Sequence, residues 1–378
     1  MDEAKAGHPS NRVIDVVVIG AGQAGISVSY FLSRYGVDHV VFERDVPFSA
    51  WRNRWDGFVT NTTNRLNTLP MIPDRLPGPD PDGFATREEI VAYLDACLST
   101  FQPPLETGVE VRRVVYQGPY HWEVETGDRI LRTRHVVMCT GAMSRPYVPE
   151  FAADLPVGIP QFHSAEFRNP SQVTTPRVLL VGGGSSGVQI CRLLAESGRF
   201  EEIHLAASNV LVLPRRVLGI QTHRLIKALG LFDMRVRSPL GRLLFSGLET
   251  AGDPIVPPTP RQLARTRGVV VHPRLVGWHD GRLRFEDGTT LDPEGMTIVW
   301  CTGLRADYRH LEAEGAFDEN GRPRHDRGVV AATPGLSFVG LRYQYTVASH
   351  DIYGVGDDAR HVAGWIRDTL RHREAQVG

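Results

Sequence analysis

Three glycines near the start of the chain have the spacing of a phosphate-binding turn. Gly20, Gly22 and Gly25 form G-x-G-x-x-G directly after the apolar run Val16–Ile19. The first glycine permits a tight turn, the second removes a side chain where a pyrophosphate approaches the backbone, and the third lets a helix pack closely on a strand. Glu43 ends the next apolar run, where a carboxylate can accept hydrogen bonds from a ribose. Together these residues predict a dinucleotide site.

The same arrangement returns in the middle of the chain. Gly182, Gly184 and Gly187 follow the apolar run Val178–Val181, and Gly198 ends the helical stretch after them. Two complete strand–turn–helix units predict that the protein binds two dinucleotides.

The second unit lacks the acid of the first. Ala207, Ser208 and Asn209 stand where a carboxylate would repel a 2′-phosphate, by about 4 kcal/mol for two charges ~4 Å apart at an effective dielectric of ~20. Its absence therefore permits NADPH, with Ser208, Arg215 and Arg216 as candidate phosphate partners. The other interpretation of the two arginines is a solvated face.

A long polar loop separates the first unit from the rest of the chain. It spans Phe48–Pro81, contains Trp51, and includes the consecutive residues Thr60, Asn61 and Thr62. Loops of this length inside a compact domain are usually functional. Amide and hydroxyl side chains suit the edge of an isoalloxazine ring and a ribityl chain, so the loop predicts that the first dinucleotide is FAD. An ordinary surface loop is the alternative.

Two Thr-Gly pairs mark further points of close backbone approach. Thr140–Gly141 and Thr302–Gly303 each follow a short apolar run of the kind found in buried strands. We expect both pairs to border the ligands.

The segments between these motifs predict both helices and strands, as in an α/β protein. Thr86–Glu89 is a capping box that opens a helix. Val109–Tyr116, Trp122–Glu125 and Ile130–Leu131 predict a small antiparallel sheet, and His135–Cys139 predicts a separate buried strand.

Two apolar segments follow later in the chain. The segment 218–260 has helical spacing of leucines and admits three interpretations: a wall of the substrate site, a homodimer contact or ordinary core. Val355–Ala359 leads into a C-terminal helix with one apolar face.

Composition excludes several classes of function. The 378 residues include 42 Lys plus Arg and 43 Asp plus Glu, which argues against nucleic-acid and anionic-membrane partners. Four scattered cysteines show neither C-x-x-C nor metal-ligand spacing, so no metal site is expected. Since no run of about 18 apolar residues occurs, we expect no membrane span and a cytoplasmic protein with reduced thiols.

The order of these parts resembles the class B flavin-dependent monooxygenases, the group that holds the FMO, YUCCA and Baeyer–Villiger enzymes. The resemblance is carried by Gly20–Gly25, Val59–Leu66, Phe162–Phe167, Gly182–Gly187 and Thr302–Gly303. The chain departs from the family pattern in two places. The glycine expected ahead of the fingerprint histidine is absent, and an alanine replaces the arginine that precedes the serine after the second unit.

The resemblance implies an α/β fold of two Rossmann-like dinucleotide-binding domains, with the NADPH domain inserted into the FAD domain. On that basis we expect residues 1–155 and 305–378 to form the FAD domain and residues 156–304 the NADPH domain. It implies FAD, NADPH and molecular oxygen acting on a small organic substrate through a flavin hydroperoxide. Heteroatom oxygenation, Baeyer–Villiger insertion and oxidative decarboxylation all remain open.

The resemblance also places Asn61 at the reacting edge of the flavin and so implies a catalytic role for it. His163 of the fingerprint is expected to organise the domain crossing. Motifs and resemblance together predict the following cofactor-binding residues: Gly20, Gly22, Gln23, Ala24, Gly25, Glu43, Arg44, Trp51, Thr60, Asn61, Thr62, Thr140, Gly141, Gly182, Gly184, Ser185, Ser186, Gly187, Ser208, Arg215, Thr302, Gly303 and Asp358.

Two other classes fit the same frame. One is an NAD(P)H-dependent flavoprotein reductase without a redox-active disulfide, and the other is a non-enzymatic flavin-binding redox sensor. The polar loop with Asn61 and the His163 fingerprint favour oxygenation over the reductase, and NADPH oxidation that forms product from a particular organic substrate would exclude the sensor.

Overall fold

The structure is a computed structural model that describes residues 13–208, 210–245 and 254–377. Two parts of the sequence-based expectations lie outside these residues: the position of Asn209, and the part of the apolar segment at 246–253.

The described chain contains twenty strands and eight α-helices. The strands are β1 (Ile14–Ile19), β2 (His39–Glu43), β3 (Leu105–Thr107), β4 (Arg113–Gly118), β5 (His121–Glu125), β6 (Ile130–Met138), β7 (Arg145–Pro146), β8 (Gln161–His163), β9 (Arg177–Val181), β10 (Glu202–Ala206), β11 (Arg216–Val217), β12 (Ile220–Gln221), β13 (Val270–His272), β14 (Leu275–His279), β15 (Arg282–Phe285), β16 (Thr290–Leu291), β17 (Met296–Trp300), β18 (Leu304–Arg305), β19 (Leu311–Glu312) and β20 (Leu336–Phe338). The α-helices are α1 (Gln23–Arg34), α2 (Ser49–Arg52), α3 (Arg87–Phe101), α4 (Ser185–Ser197), α5 (Thr222–Ala228), α6 (Pro239–Phe245), α7 (Pro260–Arg267) and α8 (Ile352–Val377).

The first sheet has eight strands in the order β19-β4-β5-β6-β1-β2-β3, with β20 also paired to β6. Strands β3, β2, β1, β6 and β20 run parallel. The β-branched run of β1 is buried on both faces because helices α1, α3 and α8 cover one side and the apolar residues of β4, β5 and β20 pack on the other. This arrangement confirms the first dinucleotide-binding unit.

The antiparallel strands are part of this sheet, which corrects one prediction. Ile130–Leu131 and the predicted strand His135–Cys139, apart from its last residue, belong to a single nine-residue strand, β6, which ends at Met138. Its first half pairs antiparallel with β5 and its second half parallel with β1. Polar residues in the middle of β6 hid this continuity, because a strand with different neighbours at its two ends need not alternate regularly.

The second sheet is wholly parallel and has the order β13-β10-β9-β17-β8. All its strands lie between residues 161 and 300, whereas strands of the first sheet occur on both sides of that range. The second Rossmann-like unit is therefore inserted into the first, as predicted. The two crossings run side by side, because β7 pairs antiparallel with β18.

The loop that follows the first unit ties the two units together. Trp55 and Phe58 leave the first unit and are buried in the core of the second, against Phe167 and Leu194. Within the described chain, no helix is long and apolar enough to cross a membrane.

Candidate functional site

A cavity of about 2300 Å³ opens at the carboxyl ends of the parallel strands of both units. Typical small-molecule sites occupy roughly 300–1,000 Å³, so this cavity has room for more than one ligand. Most of the predicted cofactor-binding residues line it: Gly20, Gly22, Gln23, Ala24, Glu43, Arg44, Trp51, Thr60, Asn61, Thr62, Thr140, Gly141, Gly182, Gly184, Ser185, Ser186, Ser208, Thr302 and Gly303.

The first glycine turn has the geometry that a pyrophosphate needs. Gly20 has a positive φ of 101°, and a Cβ on Gly25 would lie 1.8 Å from the carbonyl oxygen of Gly20. A Cβ on Gly22 would meet nothing within 4 Å, so the backbone there is open to the cavity. No side chain caps the start of helix α1 at Gly22. Its first N–H groups are left for an anionic ligand.

Glu43 is held in place for a ribose. One carboxylate oxygen accepts from the backbone N–H of Ala21 at 2.8 Å, and the other accepts from Asp45 at 3.0 Å. The side chain is buried yet borders the cavity. Because each carboxylate oxygen has further acceptor capacity, Glu43 can still receive ribose hydroxyls, which fits the adenosine half of FAD.

The second turn repeats this geometry. Gly182 has a φ of 120°, and a Cβ on Gly187 would lie 1.9 Å from its carbonyl oxygen. Gly184 is open to the cavity in the way Gly22 is, and no side chain caps helix α4. Gly25 and Gly187 thus lie beneath the turns, where they permit packing, and do not line the cavity.

Two buried hydroxyls border the cavity without a partner among the described residues. They are Thr140 Oγ1, after β6, and Ser185 Oγ, at the start of α4. Buried polar atoms are normally hydrogen-bonded. Each hydroxyl lies beside one of the glycine turns, so both fit a role in holding the phosphates or riboses of two dinucleotides.

Arg215 lies away from this cavity. Its guanidinium donates to the backbone carbonyl of Pro257 at 3.1 Å and stacks over the ring of Phe84 at 5.2 Å. Arg216 bonds the carbonyl of Gly219 within its own hairpin. Neither arginine borders the cavity as the structure stands.

A different arginine, Arg274, borders the cavity near the end of β10. Arg274 follows β13, which pairs parallel with β10, so Arg274 and Ser208 follow neighbouring strand ends. Both residues line the cavity. Arg274 has no local signal in the sequence, because it is 66 residues beyond Ser208 and is brought close only by strand pairing.

The polar loop is internally bonded. Thr60 Oγ1 donates to the carbonyl of Thr62 at 2.9 Å, and Thr62 Oγ1 donates to Asn67 Oδ1 at 2.6 Å. Asn67, which sequence reasoning missed, returns its amide N–H to the carbonyl of Thr62 at 3.0 Å. The two threonine hydroxyls are therefore used within the loop and by the backbone N–H of Ala85, and Asn61 is the member of the triplet whose side chain bonds a helix of the second unit.

Asn61 is contacted from the second unit on two sides. Gln189 Nε2 of helix α4 donates to Asn61 Oδ1 at 3.3 Å. The buried ring of His223, in helix α5, bonds the backbone of Asn61, and burial lowers the pKa of His223 to about 4. Neither contact could be anticipated, since the two residues are more than 120 positions from Asn61.

The described part of the segment 218–260 contacts the polar loop Phe48–Pro81 and does not line the cavity. His223 is its contact with that loop, and no residue of 218–245 or 254–260 lines the cavity. The expectation that this segment forms a wall of the cavity is thus not met by its described residues.

His163 has a structural environment. Its Nδ1 accepts from the backbone N–H of Ala165 at 3.1 Å, which leaves Nε2 to donate to the carbonyl of Gly303 at 3.0 Å. Burial lowers the pKa of His163 below its usual value. The neutral ring fastens β8 to the crossing after β17, in line with the expected organising role.

Asp358 lies inside helix α8 and does not line the cavity. Its carboxyl is 2% exposed, and Arg327 Nε is 3.7 Å away. Burial raises the pKa of Asp358 to about 6. A direct cofactor contact is not available to Asp358 in this arrangement, because the helix begins earlier than the sequence suggested.

Arg54 is a further cavity residue that sequence reasoning missed. It faces the aromatic rings of Trp55 at 5.9 Å and Phe58 at 5.5 Å, and its Nε is buried without a partner in the described part of the chain. Burial lowers the pKa of Arg54. An arginine in such surroundings could pair with a phosphate or a carboxylate of a ligand.

The four cysteines are separate, buried and free. Burial raises the pKa of Cys139 and of Cys301, each of which lies beneath a glycine turn. Thiols of this kind are inert. The described residues contain no group of His, Cys, Asp and Glu that could hold a metal ion.

The chain is similar in sequence to known oxidoreductases. Residues 17–208 match the family described as pyridine nucleotide-disulphide oxidoreductase. The chain is 31% identical to a CzcO-like oxidoreductase of Geobacillus kaustophilus over 96% of this chain and 99% of the relative. It is also 31% identical to the indole-3-pyruvate monooxygenase YUCCA4 of Oryza sativa subsp. japonica, over 83% and 80% of the two chains.

A solved structure of a related protein has the same fold. The flavin-containing monooxygenase from Stenotrophomonas maltophilia superposes with a TM-score of 0.72 at 25% identity, covering 95% of this chain and 99% of that one. The chain belongs to the pyridine nucleotide-disulphide oxidoreductase family and is a flavin-dependent oxidoreductase, using FAD and NAD(P)H, that is related to the class B monooxygenases.

Proposed function

We propose that the protein is an FAD-dependent monooxygenase that uses NADPH and molecular oxygen to oxygenate a small organic substrate. The observation that carries the proposal is the placement of Asn61. Its side chain borders the cavity shared by the two glycine turns, and its amide is held by a residue of the second unit. A neutral amide can donate a hydrogen bond to developing negative charge without itself being a strong acid.

The overall reaction places one oxygen atom in the substrate and reduces the other to water. NADPH supplies two electrons and one proton, and solvent supplies the second proton. Bound FAD would supply the chemistry that joins hydride transfer to oxygen reduction. The chain contributes the phosphate cradles, the ribose carboxylate of Glu43, and the amide donor of Asn61.

The thiols weigh against a dithiol reductase. Cys139 and Cys301 lie in different units and are buried, and neither has a cysteine neighbour in sequence. The relative named as an indole-3-pyruvate monooxygenase supports oxygenation and suggests 2-oxo acids as one substrate class. The half-buried Arg54 in the cavity is compatible with an anionic substrate.

The proposal is tested with the FAD-loaded protein and four chemical probes. Thioanisole tests sulfur oxygenation, N,N-dimethylaniline nitrogen oxygenation, cyclohexanone Baeyer–Villiger insertion, and indole-3-pyruvate oxidative decarboxylation. NADPH consumption, hydrogen peroxide and organic product are measured under ¹⁸O₂. One ¹⁸O atom in the product of at least one probe is expected. NADPH oxidation that yields hydrogen peroxide with every probe, and no labelled product, favours the reductase.

A further inference from the structure

The side chain of Gln189 bonds the backbone of the polar loop Phe48–Pro81 as a neighbouring strand would, with one donor and one acceptor. The backbone N–H of Val59 donates to Gln189 Oε1 at 3.2 Å, and Gln189 Nε2 donates to the carbonyl of Val59 at 3.0 Å. Helix α4 is thereby attached to the loop immediately before Thr60. Gln189 is buried, and it borders the cavity.

These two bonds fix which end of the Gln189 amide points where. Oxygen and nitrogen of a side-chain amide are normally assigned from their partners, and here the partners are a backbone donor and a backbone acceptor that cannot exchange roles. The nitrogen end of Gln189 must therefore face the carbonyl of Val59. The second hydrogen on that nitrogen is directed to Asn61.

The orientation of Asn61 follows from that of Gln189. Since Gln189 Nε2 can only donate, the Asn61 atom 3.3 Å away must be the acceptor Oδ1. The amide nitrogen of Asn61 then points away from Gln189. Among the described residues the hydrogen bond of the Asn61 side chain is the one its Oδ1 accepts from Gln189, and Asn61 borders the cavity.

His223 holds the backbone of the same residue. Its Nδ1 lies 3.3 Å from the amide nitrogen of Gln221 and accepts from it, and the ring also bonds the backbone of Asn61. Gln189 and His223 both belong to the inserted unit, whereas Asn61 belongs to the first. The position of Asn61 is thus set across the junction between the two units.

We infer that Gln189 is a positioning residue for oxygenation, which presents the N–H end of the Asn61 amide to the cavity. Resting on the proposed function, this makes the yield of organic product per NADPH depend on a contact between the two units. The competing view is that Gln189 only ties helix α4 to Val59 and has no influence on the reaction.

The substitution Gln189→Glu separates the two views. A glutamate keeps the shape of the side chain and an acceptor for the N–H of Val59. Its second oxygen would face the carbonyl of Val59 and Asn61 Oδ1, so Asn61 is expected to rotate, turning its N–H₂ to the carboxylate and its oxygen to the cavity. The exposed Gln117, which bonds Glu123 on the surface, supplies the matched control Gln117→Glu.

The experiment uses FAD-loaded wild type, Gln189→Glu, Asn61→Leu, the double variant and Gln117→Glu. With the probe that wild type oxygenates, we expect Gln189→Glu to lower the ratio of product to hydrogen peroxide at least tenfold. Anaerobic reduction of FAD by NADPH should change less than twofold. In the double variant, Gln189→Glu should add nothing to the effect of Asn61→Leu, and Gln117→Glu should match wild type.

A spectroscopic readout independent of turnover accompanies this. In asparagine-¹⁵N-labelled protein, the side-chain amide signal of Asn61, assigned by its loss in Asn61→Leu, should shift in Gln189→Glu and stay in place in Gln117→Glu. An unmoved signal, or unchanged coupling in Gln189→Glu while Asn61→Leu uncouples, overturns the inference alone. Failure of wild type to oxygenate any probe overturns the proposed function and this inference with it.

Discussion

The carbonyl oxygen of Gly20 stands 1.8 Å from the point that a Cβ on Gly25 would occupy, and Gly182 and Gly187 repeat this relationship at 1.9 Å. The last glycine of each turn is thus required by packing of helix on strand. The middle glycine has a different role, because a Cβ on Gly22 would meet no protein atom within 4 Å. Glycine at position 22 instead leaves room for a ligand that approaches the backbone from the cavity.

The open space at Gly22 leads to a prediction on flavin binding. Gly22 has a φ of −77°, which any residue adopts, so Gly22→Val should fold and fill the space that the FAD pyrophosphate needs. We expect less than a tenth of wild-type flavin after purification, measured by absorbance, with an unchanged circular dichroism spectrum. Gly184→Val is the matched variant, which should retain FAD and lose reduction by NADPH. Stoichiometric flavin in folded Gly22→Val would rule out this site.

Coenzyme choice should depend on Arg274 and not on Arg215. Arg274 lines the cavity beside Ser208, whereas Arg215 is bonded to Pro257. Arg274→Ala should lower kcat/KM for NADPH about tenfold, or ~1.4 kcal/mol for one charge-assisted contact at an exposed site, and leave kcat/KM for NADH within twofold. Arg215→Ala is the control and should change neither value. A tenfold loss in Arg215→Ala alone would instead restore the interpretation made from the sequence.

His135 should make the protein sensitive to mild acid. It is fully buried between Tyr120 and Trp365, and neither ring nitrogen has a partner among the described residues. Burial lowers the pKa of His135 from 6.5 to about 3. The folded state thus favours the neutral ring, so stability is complete above the unfolded pKa of 6.5 and falls as pH drops from there towards 3.

The expected loss in the free energy of unfolding between pH 7.5 and 5.5 is about 1.4 kcal/mol from this one group. It is measured by urea titration of the FAD-loaded protein. His135→Phe keeps an aromatic ring between Tyr120 and Trp365 and should remove that part of the pH dependence. If wild type and His135→Phe lose equal stability over this range, His135 is not the responsible group.

The glycine turns, the ribose acid and the order of the two units could be predicted because their signals are local. Each turn is a set of neighbours in sequence whose types follow from backbone conformation and close approach. The polar loop around Asn61 was singled out for the same reason. Strand β6 was divided in two because the evidence that joins its halves is the pairing with different partners at each end.

The contacts that complete the site come from distant parts of the chain. Arg274 is brought to the cavity by the pairing of β13 with β10. Gln189 contacts Asn61 because the inserted unit packs on the polar loop. Contacts between distant parts of the chain produce no periodicity or spacing that can be recognised in the sequence. Arg215 was predicted because it follows the second turn closely in sequence, yet its guanidinium is bonded to the carbonyl of Pro257.

The central proposal is that the Asn61 amide serves oxygenation. Losing one preorganised donor at developing charge costs roughly 2.7–4 kcal/mol, or about a hundred- to a thousand-fold. The most direct measurement is the ratio of organic product to hydrogen peroxide per NADPH in FAD-loaded wild type, Asn61→Leu and Asn61→Asp. We predict that both variants bind FAD and accept hydride as wild type does, and that both release hydrogen peroxide in place of product. Unchanged ratios in both variants would contradict a role of Asn61 in the oxygen chemistry.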